Sequence, residues 1–371
     1  MVMDRKKNKL ILYHAGHYGF LSKFLIHKMD KYDGDKVVIL VDCSFASSET
    51  KMFLSEWNNN NGSGCEVVTY TDKIFWNHDS VNEVKKAVIE YFDELFYKLD
   101  IDIRTADHIY SGYDGLNAFA AYLCIKDVKY IAFDSLGNTT NYRLADSLYD
   151  NNRVKYSDKA QAYLDLLKEY DVLTARSEYV SSVLLTDISK ATPGKKYDYF
   201  NYLNTIRRLS KDKKQRLRKI YGLSHTNLSK GILIPLRSYA VVKYSGVKYD
   251  SNLTNFQKLL WVYRIIVDCF YDAEEMIILK AHPNYALSAD VVKTFHNSVY
   301  LGGHIPFDLL EIIDVDISSV LSIGGSSSSF STRRVDVMLP ENFFSSSLQV
   351  IAMYSSYQIS ETIFGCKSKI Q

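Results

Sequence analysis

The feature that most limits how this chain can fold is a recurring order: a short apolar run, a small-residue or polar loop, then a segment with helical spacing. Leu10–Tyr13 leads into Ala15-Gly16-His17-Tyr18-Gly19 and then into the amphipathic stretch Phe20–Met29. Lys36–Val41 is a second run, apolar after its first residue and ended by Asp42, and Glu66–Tyr70 is a third. Val81–Leu99 has helical spacing, while His108–Ser111 and Tyr130–Phe133 supply two further strands around a helix over Leu116–Ile125. Strands that are apolar on successive rather than alternate residues are covered on both faces, and strands joined through helices run parallel. The expected class is α/β with a parallel sheet between helical layers.

The order recurs in the second half. Lys230–Leu236 opens a new unit, followed by a helix over Asn255–Tyr271, a strand at Met276–Leu279 and a helix near Ser288–Phe295. A strand around Val299–Leu301, a helix over Phe307–Ile313, the strand Val320–Ile323 and a short strand at Val335–Leu339 complete it. Between the units, from about Asp150 to Ser229, the chain is rich in Lys, Tyr and Asp and reads as mostly helical, with a loop at Ala191–Lys196. The expected division is residues 1–215, a Rossmann-like acceptor-side domain with its helical connector, and residues 216–371, a Rossmann-like domain for the nucleotide-sugar. Domains of ~100–200 residues make two cores the natural reading of 371 residues.

Composition excludes several classes. At 47% hydrophobic and 24% charged residues the chain can bury enough apolar surface to fold. A formal net charge of +2 argues against nucleic acid as a partner. One stretch departs from this balance, the basic run Arg207–Lys219, relieved only by Asp212. It reads either as a solvated helix face or as a peripheral contact with an anionic membrane. The five cysteines are scattered without CxxC spacing, as in reduced cytoplasmic proteins. The basic segment Met1–Lys9 precedes too short an apolar run for a signal peptide, and no window approaches a membrane span. The expected location is the cytoplasm, at most peripheral at the inner face of the plasma membrane.

Open α/β sheets bind ligands beyond the carboxyl ends of their strands, and the candidate chemistry sits there. Lys280-Ala281-His282-Pro283 follows the strand Met276–Leu279. Proline disfavours helix at the residue before it, so His282 is held extended, where an imidazole can neutralise a phosphate and protonate it as it leaves; a structural His-Pro turn is the other reading. Gly324-Gly325-Ser326-Ser327-Ser328-Ser329 follows Val320–Ile323, and glycines, N–H groups and hydroxyls at a helix start make an anion site. Asp134 follows Tyr130–Phe133 and suits either a general base or a turn cap. Asp308, in the first turn after Ile305-Pro306-Phe307, is a dipole partner or a ribose ligand. Gly16 and His17, in the first loop, lack the dinucleotide fingerprint and are expected to line the inter-domain cleft. Asp100-Ile101-Asp102 and Asp314-Val315-Asp316 resemble metal-binding pairs but also suit turns; no metal and no cofactor is expected.

Two successive doubly wound units describe the GT-B architecture, two Rossmann-like domains facing across a cleft, and the motif order resembles bacterial GT-B sialyltransferases. Lys280-Ala281-His282-Pro283 resembles their Lys-Gly-His-Pro block, Ile305–Leu310 their Ser-Phe-Glu-Val-Leu segment, and Gly324-Gly325-Ser326-Ser327 their small-small-Ser-Ser loop. The likeness covers Met276–Phe330, with a thinner one at Asp134, where Ser135 replaces the family's second acidic residue. It implies an inverting, metal-independent transfer of sialic acid or a related nonulosonic acid from a CMP-sugar to a glycan hydroxyl, in bacterial surface polysaccharide synthesis. Asp134 would be the base and His282 the stabiliser of the departing CMP. Ser326 and Ser327, with Ser328 beside them, would hold its phosphate; Asp308, next to Phe307, would bind the ribose; Lys280 would lie near the cytosine and Pro283 would shape the turn. The implied partners are the CMP-sugar and a glycan acceptor, free or lipid-linked, met by loops such as Phe45–Trp57 and Asn77–Val84. Two other readings fit the motifs: a teichoic-acid-type transferase using CDP-alcohols, and a non-catalytic nucleotide-sugar-binding protein.

Overall fold

The computed structural model describes residues 8–57, 64–112, 117–134, 160–173, 175–186, 191, 194–224, 231–236, 260, 263–264, 266–268, 271–282, 295, 297–306, 309–310, 317–323 and 337–339. The chain divides into two compact units, Met1–Ala46 with Lys51–Gly222 and Ser47–Thr50 with Leu223–Gln371. The break after Gly222 comes beyond the helix Lys211–Ile220, whereas the expected 215/216 boundary falls inside it.

The first unit holds the strands β1 (Leu10–Ala15), β2 (Lys36–Asp42), β3 (Glu66–Tyr70), β4 (His108–Gly112), β5 (Tyr130–Asp134), β6 (Val180–Leu185) and β7 (Tyr197–Tyr199). They form one parallel sheet in the order β3-β2-β1-β4-β5-β6-β7. Among the described residues its helices are α1 (Gly19–Lys31), α2 (Ser48–Glu56, of which this unit holds the part from Lys51), α3 (Val81–Lys98), α4 (Ala118–Ile125), α5 (Gln161–Glu169), α6 (Tyr202–Arg208) and α7 (Lys211–Ile220). The apolar runs in β1 and β2 are explained by cover on both faces. Leu12, Val38 and Leu40 pack with Phe92, Phe96, Phe119 and Tyr163 of α3, α4 and α5. Tyr13 turns to the other side, 4.8 Å from the ring of Phe24 in α1, which itself lies 5.1 Å from Phe133 of β5. Burial of such side chains contributes about 1.5–3 kcal/mol each, and both strands lie inside the sheet with a neighbour on either side.

Polar residues set the helix limits. Ser80 Oγ accepts from Glu83 N (3.3 Å) at the start of α3, and Glu83 Oε2 accepts from Asp79 N (3.1 Å). Asn117 Oδ1 accepts from Ala120 N (2.9 Å), so α4 begins after Asn117 and not at Leu116. Asp102, half of one supposed metal pair, accepts from Arg104 N (3.0 Å) and caps a 3-10 turn, the bland alternative for that motif.

The connector reading needs correction. The stretch Asp150–Ser229 contains β6 and β7 as well as helices, and these two strands widen the first sheet to seven. Val180-Ser181-Ser182-Val183 carries too many hydroxyls to read as a strand alone; pairing with β5 completes it. β7 is a three-residue edge strand, whose form comes from β6.

In the second unit the strands β8 (Gly231–Pro235), β9 (Met276–Lys280), β10 (Ser298–Leu301), β11 (Ile317–Ile323) and β12 (Val337–Leu339) form a second parallel sheet, ordered β10-β9-β8-β11-β12. Most of the helical segments expected here lie outside the described residues. Gly231 starts the central strand because a side chain there would collide with its neighbour: a Cβ would stand 2.7 Å from the Met276 carbonyl oxygen. Gly231→Ala is expected to destabilise this unit by about 1–3 kcal/mol, read as a lower urea midpoint. Both sheets therefore have Rossmann-like order, and the α/β class expected from the sequence is the class observed.

Candidate functional site

In each sheet the strand order reverses beside the first strand of the unit, β1 against β4 and β8 against β11. Connections on the two sides of such a point leave the sheet on opposite faces, opening a crevice at the carboxyl edge.

At the carboxyl edge of the first sheet, four strands carry a polar or amphipathic residue at their last or next-to-last position: His14, Asp42, Tyr70 and Ser111. His14 is fully buried; its Nδ1 lies 3.0 Å from Ser111 Oγ and its Nε2 2.6 Å from the Tyr70 hydroxyl. Burial pushes its pKa down to about 3, so the ring is neutral and can donate on one side while accepting on the other. Asn117 Nδ2 donates to the same Ser111 oxygen (3.0 Å), tying the start of α4 to β4.

Two carboxylates adjoin this chain. Asp42 Oδ1 accepts from Ser44 N (2.9 Å), Ser44 Oγ (2.6 Å) and Asp72 N (3.2 Å). Asp72, fully buried just past β3, accepts at Oδ2 from Ala118 N (3.2 Å) and from the Tyr163 hydroxyl. Its Oδ1 is buried with no hydrogen-bonding partner among the described residues. Burial, and then the neighbouring Asp42 charge, push the Asp72 pKa up to about 7; burial also raises that of Asp42. Two shielded carboxyls cannot both be charged cheaply, so the pair holds a proton to higher pH than a free aspartate does.

Of the first-loop candidates, Gly16 is buried and His17 half-exposed, both between β1 and α1 at the strand reversal. His17 Nδ1 accepts from Gly19 N (2.9 Å). With Nδ1 accepting, Nε2 is the ring nitrogen left to donate. Asp134 ends β5, paired with Leu185 of β6; its side chain lies outside the described residues.

In the second unit, Lys280 is the last residue of β9. It is buried, its ammonium donating to the carbonyls of Gly302 (3.0 Å) and Ala281. Burial lowers its pKa to about 7. Leu236 N donates to Lys280 O (2.8 Å) and Ala281 N to Leu301 O (3.0 Å), so the sheet stays bonded up to the residue before His282. His282 itself is partly exposed at that edge. Pro283, Phe307, Asp308, Ser326, Ser327 and Ser328 lie outside the described residues; β11 ends at Ile323, immediately before the Gly-Gly-Ser run. Among the described residues no group of three His, Cys, Asp or Glu side chains could hold a metal ion.

Sequence reasoning missed His14, Tyr70, Asp72, Ser111 and Tyr163. A signal existed for the first two and for Ser111: each is polar or amphipathic at the last or next-to-last position of a strand. Asp72 and Tyr163 offered none.

A two-unit Rossmann-like α/β protein with polar residues at its strand ends is the class that fold and site define. No protein-family model matches the chain, and no curated protein sequence does. Solved structures similar to it include CalG4, the calicheamicin glycosyltransferase, at 12% identity and TM-score 0.45, over 95% of this chain and 84% of that one. UGT2 of Phytolacca americana, complexed with UDP-2fluoro-glucose and pterostilbene, is 11% identical at TM-score 0.46, over 96% of this chain and 90% of that one. UGT89C1 of Arabidopsis thaliana, complexed with UDP-L-rhamnose, is 10% identical at TM-score 0.41, over 97% of this chain and 96% of that one. The strand order of the two sheets, and not these likenesses, defines the fold.

Proposed function

We propose that this chain is an inverting glycosyltransferase that moves a sugar, sialic acid or a related nonulosonic acid, from a CMP donor to a glycan hydroxyl. The observation that carries the reading is the placement of a partly exposed imidazole, His282, at the carboxyl edge of a Rossmann-like sheet whose next strand but one in the chain, β11, runs into Gly324–Ser329. In such sheets that edge is the nucleotide side. The second unit then takes the donor and the first unit the acceptor.

In the proposed reaction the acceptor oxygen forms a bond to the anomeric carbon as the bond from that carbon to the phosphate oxygen breaks. Asp134 takes the hydroxyl proton. CMP departs with the bonding electron pair, and His282 protonates or pairs with its phosphate. Direct displacement inverts the anomeric centre. A single phosphate carries less charge than a diphosphate, so an imidazole, hydroxyls and N–H groups suffice to stabilise it. Lys280, with its ammonium on two carbonyls, supports the loop before His282 and takes no part in the proton transfers.

The test is nucleotide release from CMP-sialic acid, CDP-glycerol and UDP-glucose in parallel, with and without a galactoside and with EDTA. The expected result is CMP release that rises with acceptor and is unchanged by EDTA. Release from UDP-glucose alone would move the donor to a UDP-sugar, release from CDP-glycerol alone would favour the alcohol-phosphate transferase, and release from none would leave a binding protein.

A further inference from the structure

The densest basic run of the sequence, Arg207–Lys219, falls on one helical corner. Arg207–Lys219, spanning the end of α6 and most of α7, carries eight basic residues against one acid, while the whole chain has a net charge of +2; the remainder is therefore net negative. Two of the eight pair with Asp33. Lys213 Nζ lies 3.2 Å from Asp33 Oδ2 and Arg216 Nη1 3.3 Å from Asp33 Oδ1, and Lys213 also donates to the Met29 carbonyl. Leu217 is buried beside them. Residues three and four apart share a helix face, so these bonds fix which side of α7 lies against the end of α1. Lys214 Nζ donates to Arg207 O (3.1 Å) and joins the ends of the two helices. Arg208, Lys211 and Lys219 are left exposed. The nearby acids at the end of α1 have partners: Asp30 lies 3.1 Å from Lys31, and Asp35 Oδ1 accepts from Lys9 N (3.0 Å).

We infer that this corner docks the protein on an anionic lipid surface. Exposed Arg208, Lys211 and Lys219 can each attract an anionic headgroup, an interaction of about 1 kcal/mol per basic residue at a lipid surface. Among the described residues no helix is long and apolar enough to cross a membrane, so attachment here is electrostatic and reversible.

The experiment is co-sedimentation of the full chain, without donor or acceptor, with phosphatidylcholine vesicles containing or lacking phosphatidylglycerol. Its outcome is independent of the transfer reading. Binding is expected only to the anionic vesicles and falls steeply with salt. The triple substitution Arg208→Gln, Lys211→Gln and Lys219→Gln lowers the partition coefficient about 100-fold. Its melting temperature stays that of the parent, because the three side chains are exposed. A control, Lys86→Gln with Lys98→Gln on α3, leaves partitioning unchanged. Equal binding to neutral vesicles, no binding to anionic ones, an equal loss in the α3 control, or tighter binding to a short DNA duplex than to the vesicles would each overturn the proposal.

Discussion

If the proposed transfer is the reaction, replacing His282 by alanine is expected to lower turnover of the CMP-sugar at least ~100-fold while the protein keeps its fold. Both halves of this expectation follow from where the residue stands. His282 lies beyond the last bonded residues of β9 and is partly exposed, so its truncation opens no cavity in the core. An imidazole that pairs with a phosphate as it leaves acts mainly after the bond begins to break. The loss should therefore fall on kcat and on kcat/KM alike, with KM little changed. Asp134→Asn is the companion: a base that accepts the acceptor's proton is lost, so acceptor-dependent CMP release falls by a similar factor. A rise in KM alone for either variant would mean the residue binds and does not move a proton. Unfolding of His282→Ala would return the His-Pro block to a structural turn.

The second large effect concerns stability. In the native protein Asp72 keeps its proton up to about pH 7, whereas an unfolded aspartate releases it near pH 3.8. An acid whose pKa is raised by folding holds more protons folded than unfolded between those values. Its contribution is thus fully present below the unfolded pKa and is lost as pH rises towards the folded one. The expected slope is about 1.4 kcal/mol per pH unit across that window. Asp72→Asn removes this slope, because an amide mimics the neutral acid, can still accept from Ala118 N and the Tyr163 hydroxyl, and does not ionise. At pH 8 the Asn variant should be as stable as the parent or more so. Asp72→Ala, which leaves both donors buried without an acceptor, should cost about 2–5 kcal/mol. The measurement is denaturant unfolding at several pH values, read as parent minus variant. His14 and His27, whose buried rings have pKa values of about 3 and about 4, lose stability as pH falls from 6.5, opposite in sign. Lys280 acts between about 7 and its unfolded value of 10.5. The difference cancels their terms and reports the coupled Asp42–Asp72 pair, and a parent whose slope matches that of Asp72→Asn would show that Asp72 is ionised throughout.

How much of this was legible beforehand varies element by element. β3 begins and ends where its apolar run does, at Glu66 and Tyr70, and β1, β2 and β4 extend only slightly beyond theirs. β6 was not read as a strand because Ser181 and Ser182 interrupt its apolar residues, and β7 is too short and polar to announce itself without the neighbour it pairs with. The position of His282 at a strand mouth could be read from the run before it. The committed state of the Lys280 ammonium could not, because one of its acceptors, Gly302, belongs to the loop after another strand.

The residue order alone determined that this chain forms two parallel sheets, the first covered by helices, because strand cover and helix period are written in the spacing of apolar side chains over a few residues. Only the tertiary structure decided that Asp72 keeps a proton and that Asp33 takes up two of the basic residues of α7. Those outcomes depend on desolvation and charge pairing among groups far apart in the chain, Asp72 with Tyr163 and Asp33 with Lys213 and Arg216, and folding is what makes them neighbours.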